Sequence, residues 1–428
     1  MRYIWLTLSA FCLPPAHAAI EYQISVGNDL SHLAVEFRND TNSRLTDHNI
    51  DYSLLRDARE CDGSSLPRRA LVDSRCAKYK VRLRKGVGGR FSIDLPDDVR
   101  VINPEHFLFL GRDTSISLAP ESAISHPWPE MSDGRYAIPG SPRSSNAVLV
   151  IGGFHEIHVD GLRKPIAFVG ERRYVEKMRD WLSPVVQAVS FADQFPNPDL
   201  QVIALSVTAR DGSPVPFGHV IRNQGETVRF FVDPSRTIES LHHDWTASHE
   251  LAHLKLPYLS GSGRWLSEGF ASYYQNVLQA RLGFYSEREA WQRLGRSFSR
   301  AAPIGEGMSP IEATQTEFWR SRLMIYWSGA AFALLADVEL RKRGGSLDAT
   351  LAQLATPQKR SWRSNELMRK LDELSKTNVF TTLYQQHANS DGMPPTEALF
   401  DELGVMASGE LSDSAPLASL RREIMSAQ

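Results

Sequence analysis

The sequence predicts a multidomain α+β protein: a β-sandwich-like domain first, a mixed domain in the middle and a helical region last. Three observations predict it. Short runs of alternating polarity, punctuated by proline and glycine, dominate up to residue 170. Between 171 and 350, helix-period segments flank two strand patterns. Beyond 351 only helical periodicity is left. At 428 residues the chain has room for two or three domains. Its 42% hydrophobic and 23% charged content is ordinary for a globular protein. A formal net charge of −2 gives no electrostatic reason to expect nucleic acid or an anionic membrane as partner.

Residues 1–18 read as a secretory signal. Arg2 supplies the positive start, 3–13 is a mostly apolar run, and Ala16-His17-Ala18 is a small-residue cleavage site. The run is too short to span a bilayer, and no other stretch approaches the ~18–20 apolar residues of a membrane helix. The expectation is an exported protein, periplasmic or secreted, with no membrane span once the signal is removed. Cys61 and Cys76 are then the two cysteines of the mature chain. In an oxidising compartment they are most simply a disulfide, closing a polar segment with little apolar content of its own.

The first domain, 19–170, begins with two alternating runs around the turn-forming Gly27-Asn28-Asp29. Further strand patterns cover 80–83, 90–95, 107–110, 148–159 and 165–169. Nothing in this region groups residue types that carry chemistry. Its expected role is to pack against the next domain and wall one side of a cleft.

The middle domain, 171–350, opens on a helical pattern through Val175, Met178, Trp181, Leu182, Val185 and Val189. Pro184 falls inside it and predicts a kink or break. Strand patterns follow at 202–207 and 220–232. Asp233 or Asp244 is placed to cap the helix that comes next.

That helix carries His249, Glu250 and His253 as H-E-x-x-H. Residues four apart share a helix face, so the two imidazoles can point at one ion, as a tetrahedral zinc site requires. Glu250 lies about 100° round the helix from His249, within reach of a water without being a ligand. A solvated helix face would carry the same three residues, but a second stretch argues against it. Catalytic zinc usually takes three protein ligands, and Glu268 is the third candidate. It sits on a helical pattern through Leu266, Phe270, Tyr273 and Val277 that Gly283 ends. Pro257 stops the first helix, and residues 254–267 give room to turn back. His242 and His243 lie off the face of His249 and are expected at the surface or behind the ligands.

A later helix, about 317–343, ends at Arg341-Lys342-Arg343 and Gly344-Gly345. Tyr326, Gly329, Ala330, Ala333 and Asp337 share one stripe of it, with small residues that let another helix pack close. Asp337 is either a holder of a zinc histidine or a partner in an ordinary salt bridge. The C-terminal region, 351–428, predicts helices at 364–375, 379–386 and 395–403, then a loosely ordered tail from 406.

H-E-L-A-H followed by W-L-S-E-G-F-A resembles the gluzincin metallopeptidases, and the S-E-G-F-A-S-Y-Y ending is most similar to the glycyl aminopeptidase family. The segment IYWSGAAFALLADVELRKRGGSLD resembles that family's tyrosine-containing helix, with Tyr326 in the tyrosine position. The likeness runs from about 200 to 350. It implies a thermolysin-like zincin catalytic domain, one Zn2+ per chain held by His249, His253 and Glu268, and a peptide or protein substrate. It also implies Glu250 as general base and Tyr326 as donor to an oxyanion. The stretch GHVIRNQGETVRFFVD is then the edge strand that binds extended substrate. Two departures stand out. The connection before Glu268 is shorter than in most members, and no G-x-M-E-N segment is present to hold a free amino group. Glu226 is the nearest acid, in a Gly-Glu-Thr turn. Aminopeptidase and endopeptidase activity therefore both stay open. So does a non-catalytic periplasmic peptide-binding protein on the same scaffold, although Glu250 would then have no ligand role to explain it. No oligomeric state follows from the sequence.

Overall fold

A computed structural model describes residues 20–426, apart from 28, 41–44, 85–94, 112, 139–146, 192–193, 223–224, 317 and 355–360. The expected leader at 1–18 and nearly all of the strand expected at 90–95 lie outside the described residues. The architecture is multidomain α+β, with strands first, a mixed middle and a helical end.

The N-terminal part holds β1 (Ile20–Val26), β2 (His32–Asn39), β3 (Leu55–Glu60), β4 (Cys76–Arg82), β5 (Val99–Ile102), β6 (Thr114–Ala119), β7 (Ile124–Ser125), β8 (Tyr136–Ile138) and β9 (Leu149–Gly152). Six of them form a sheet in the order β3-β4-β2-β1-β6-β8, and β5-β9-β7 form a second. Strand β9 shows why two sheets stack. Leu149 and Ile151 join the core of the six-stranded sheet, while Val148 and Val150 turn the other way and pack on Ile203, Leu205 and Phe231 of the next domain. A period of two thus glues both sides of one short strand. The segment 107–110 forms no strand; Leu110 makes only a bridge to Thr46. The disulfide joins Cys61 to Cys76, between the end of β3 and the start of β4.

A third sheet begins at β10 (His155–Ile157) and β11 (Ile166–Val169), upstream of the boundary expected at 170. Helix α1 (Val175–Val189) continues through Pro184 without ending. Then come β12 (Gln201–Ser206), β13 (Phe217–Ile221) and β14 (Thr227–Val232), completing the order β10-β11-β12-β14-β13. Strand β13 is the edge, hairpinned on β14, so the single strand expected at 220–232 is two. Helices α2 (Ile238–His243), α3 (Thr246–Ala252) and α4 (Arg264–Arg281) follow, then α5 (Glu287–Gly305), α6 (Pro310–Ala313), α7 (Phe318–Arg341) and α8 (Leu347–Leu354). By length and composition the Ser321–Arg341 part of α7 is long and apolar enough to cross a membrane, whereas the sequence predicts no such stretch after the signal. Yet 72% of its window is buried inside the fold, as in the core helix of a bundle.

The C-terminal part adds α9 (Ser364–Ser375), α10 (Val379–His387), α11 (Glu397–Leu403) and α12 (Ala418–Met425). The end is not the loose tail that its polar composition predicts. Arg421 on α12 is 1% exposed. It pairs with Glu287 at 2.8 Å and Asp413 at 2.6 Å and donates to the carbonyl oxygen of Ser412. A charge that buried is tolerated because every arm of it has a partner.

Candidate metal centre

Helix α3 carries His249, and the turn that follows it carries His253, over Ala247, Leu251 and Ala252 in the core. Its start is tied by Asp244, whose carboxylate accepts the Thr246 N–H at 2.8 Å. Its end is tied by Arg222, the residue after β13. The guanidinium donates to the carbonyl oxygens of His253 and, at 2.8 Å, Leu256. A cation at a helix C-terminus is favourable for the dipole, and here it also fixes the turn that carries His253.

Helix α4 returns antiparallel beside α3 and brings Glu268 to the histidines despite the short connection. One Glu268 carboxylate oxygen lies 3.4 Å from Nε2 of His249 and 3.4 Å from Nε2 of His253. Donor atoms of the three residues all lie within 4.8 Å of one another. Two turns further along α4, Gln275 Oε1 sits 2.8 Å from Nδ1 of His249. An amide oxygen can only accept, so Nδ1 carries a proton, and the neutral imidazole would offer its Nε2 lone pair to a metal ion. Behind His253, Ser267 Oγ is 3.4 Å from Nδ1.

The electrostatics favour a cation here. Burial alone would lower His249, but its hydrogen bond to Glu268 and the charges of Glu250 and Glu268 outweigh that and hold the imidazole above its ordinary value. Burial raises the carboxyl of Glu268, yet the charge of His253 and hydrogen bonds from both imidazoles pull it well below the usual carboxylate range. Two imidazole nitrogens, one carboxylate oxygen and a fixed tautomer are the donor set and support that zinc takes. The residues present fit that ion.

Glu250 points toward β13. The Val220 N–H donates to its carboxylate, and burial raises its pKa, partly offset by the two histidines. Gly218 makes room for it: a Cβ there would lie 2.5 Å from Glu250 Cγ and 2.7 Å from Thr246 Cγ2. Tyr326 on α7 closes the opposite side. Its ring stacks on His249 at 5.7 Å with an 8° interplanar angle. Burial first, then Glu268 and Glu250, push its phenol far above the ordinary value, so it stays a donor.

The structure therefore brings together all five residues singled out in the sequence: His249, Glu250, His253, Glu268 and Tyr326. It does not bring Asp337 to a histidine. That carboxylate accepts from Tyr273 Oη at 2.7 Å, Arg341 Nε at 3.2 Å and the Leu347 N–H at 2.8 Å. Gln275 takes the role instead. Its spacing from Glu268, seven residues on the same helix face, was the available signal. His242 and His243 turn away, to the Asp180 carbonyl and to Glu289. Glu226 is occupied by Asn197 at 2.7 Å and Arg222 at 3.6 Å.

Residues 259–329 match the family model of the M61 glycyl aminopeptidases. That segment contains Glu268, Gln275 and Tyr326, and it bears out the relation expected from the motifs. The comparison with curated proteins found no match. Among solved structures the chain is similar to the M1 zinc metallopeptidase from Deinococcus radiodurans, at 12% identity and a TM-score of 0.45 over 88% of this chain and 94% of that one. It is also similar to native leukotriene A4 hydrolase from Saccharomyces cerevisiae, at 14% identity and a TM-score of 0.47 over 88% of this chain and 68% of that one.

Proposed function

We propose that this protein is a zinc-dependent peptidase. The observation that carries the proposal is the convergence of His249, His253 and Glu268, with donor atoms within 4.8 Å, beside an unligated Glu250 and a phenol stacked on a ligand. His249, His253 and Glu268 would hold one zinc ion per chain. When bound there, zinc would make water acidic enough to attack at neutral pH and would polarise a substrate carbonyl.

The chain's own residues supply the rest. The exposed edge of β13 offers main-chain groups to an extended peptide and lays it across Glu250. Glu250 removes the proton of the attacking water and delivers it to the leaving nitrogen as the C–N bond breaks. Its raised pKa suits a group that must both take and give a proton. The Tyr326 phenol donates to the oxygen that becomes negative during attack. Gln275 and Arg222 keep the two imidazoles in place.

One observation favours an endopeptidase over an aminopeptidase. Glu226, the acid nearest the edge strand along the chain, is spent on Asn197 and Arg222 and is not turned toward a substrate's amino group. Cleavage of matched peptides with free and acetylated N-termini separates the two. Export is proposed as well, supported by the leader pattern at 1–18 and by the Cys61–Cys76 disulfide, a bond that needs an oxidising compartment.

The test is metal content and peptide cleavage in the wild type, Glu268→Ala and Glu250→Gln. The proposal expects one zinc per wild-type chain and weak retention in Glu268→Ala. Glu250→Gln should keep zinc and lose about 10²–10⁴-fold in turnover. A wild type that takes up no zinc would end the hydrolase reading and leave the peptide-binding one.

A further inference from the structure

A cavity of about 870 Å³ opens beside the metal centre, and Tyr326 and Gln275 line it as well as the centre. Its far wall is basic. Helix α5 places Arg293, Arg296 and Arg300 at i, i+3 and i+7, a single stripe, while the opposite stripe through Trp291, Leu294 and Phe298 is buried. Arg322 joins them from α7, one turn before Tyr326. Against these four arginines the lining holds one acid, Glu289. That carboxylate is already committed, to Arg293 at 2.9 Å and to His243 at 3.0 Å. Arg296 and Arg300 have no carboxylate partner among the described residues.

A helix face that needs only solubility mixes its signs and faces open water. This stripe faces a concavity next to the reacting groups, where apolar walls such as Trp245 and Trp327 lower the local dielectric and focus its field. Guanidinium groups match carboxylates in a planar, two-point geometry. We infer that this cavity receives a carboxylate of the bound peptide, from an acidic side chain or from the peptide's own C-terminus. The inference rests on the peptide-binding part of the proposed function and names its substrate class: anionic peptides are taken in preference to neutral or basic ones.

The test uses the full-length Glu250→Gln protein loaded with zinc, so that ligand persists. Four peptides of one sequence, carrying Glu or Gln at one position and ending in an acid or an amide, are titrated calorimetrically. The expected result is that one anionic group improves Kd about tenfold. The advantage should shrink in 0.5 M salt and in an added Arg296→Gln/Arg300→Gln pair. The position that carries the advantage tells a side-chain carboxylate from a terminal one. Equal Kd for all four peptides, an advantage that survives the double arginine substitution, or no binding of any peptide overturns the assignment. The hydrolase reading is judged separately by wild-type cleavage of the same peptides. Selective anionic binding without cleavage would remove that reading and leave the cavity assignment standing.

Discussion

Gly269 and Gly329 face each other where α4 and α7 cross, so closely that a Cβ on Gly329 would lie 2.8 Å from the Gly269 Cα and fall on the carbonyl oxygen of Trp265. Real Cβ atoms do not approach backbone this way. The contact sets the distance between the helix that carries Glu268 and the helix that carries Tyr326.

Gly329→Ala is therefore expected to destabilise the fold, although alanine is the better helix former by about 1 kcal/mol. Neither backbone can yield without separating the helices, and overpacking of this kind costs about 1–3 kcal/mol. Thermal melts should show a fall of several degrees. Activity at a temperature where the variant is folded should fall further, because Tyr326 is one turn away.

Gln275→Leu removes the acceptor that holds His249 Nδ1 at 2.8 Å while keeping the side chain's bulk. Loss of such an outer partner typically weakens metal affinity 10–100-fold. Competition with a zinc chelator measures it. Gln275→Glu keeps an acceptor and should retain affinity near that of the wild type, a rescue that a purely structural role for Gln275 would not give.

Gly218→Ala should displace Glu250 rather than unfold the protein. The added methyl meets Cγ of Glu250 at 2.5 Å and the methyl of Thr246 at 2.7 Å, both on α3. The expected outcome is a drop in kcat with zinc content unchanged, read from metal analysis and cleavage rates on the same preparation.

Lys164 reaches from the second domain to the carbonyl oxygens of His126 and Trp128 in the first, at 3.1 and 2.5 Å. Burial lowers its pKa to about 8, against the partial support of Asp199, Glu130 and Glu121. The unfolded chain, with a lysine near 10.5, binds more protons than the folded one between about pH 8 and 10.5. This group's contribution to stability therefore rises with pH across that window. Relative to Lys164→Met, the wild type should gain on the order of 1–2 kcal/mol between pH 7.5 and 10, allowing for the side chain's remaining exposure. Urea unfolding of both proteins at the two pH values checks the sign.

Replacing Cys61 and Cys76 together by serine should cost about 3 kcal/mol, the loop-closure value for a bridge with a sequence separation of 15. The loss should show in an unfolding transition of the N-terminal part. Zinc content should be unaffected, since no residue of that part is among the proposed ligands.

Much of the site was legible because it is written in helix periodicity. His249 and His253 are four apart, and Glu268 lies on a helix that the apolar stripe through Leu266, Phe270, Tyr273 and Val277 predicts. Tyr326 was legible only through the likeness of its helix to a known one. What escaped the sequence is what depends on neighbours distant along the chain. Asp337 has the right type and stripe for holding a histidine, but Tyr273 and Arg341 are nearer and claim it. Gln275 looked like one more polar residue of α4. The tail from 406 reads as loose because serine and charge carry no period, yet Arg421 finds Glu287, 134 residues away, and docks α12. The split of 220–232 into two strands turned on Gly225, whose φ of +106° permits a reversal that alternation of polarity cannot signal.

Arg222 gives the last consequence. It follows directly on the edge strand and grips the carbonyl oxygens of His253 and Leu256. A peptide that docked on β13 as proposed would therefore bear on the same backbone that positions His253. Two binding events that share one anchor are thermodynamically linked, and linkage is reciprocal. Whatever factor a docked peptide adds to the retention of zinc, zinc must return in the affinity for that peptide. An ion held as proposed would then be linked to substrate binding as well as to the chemistry.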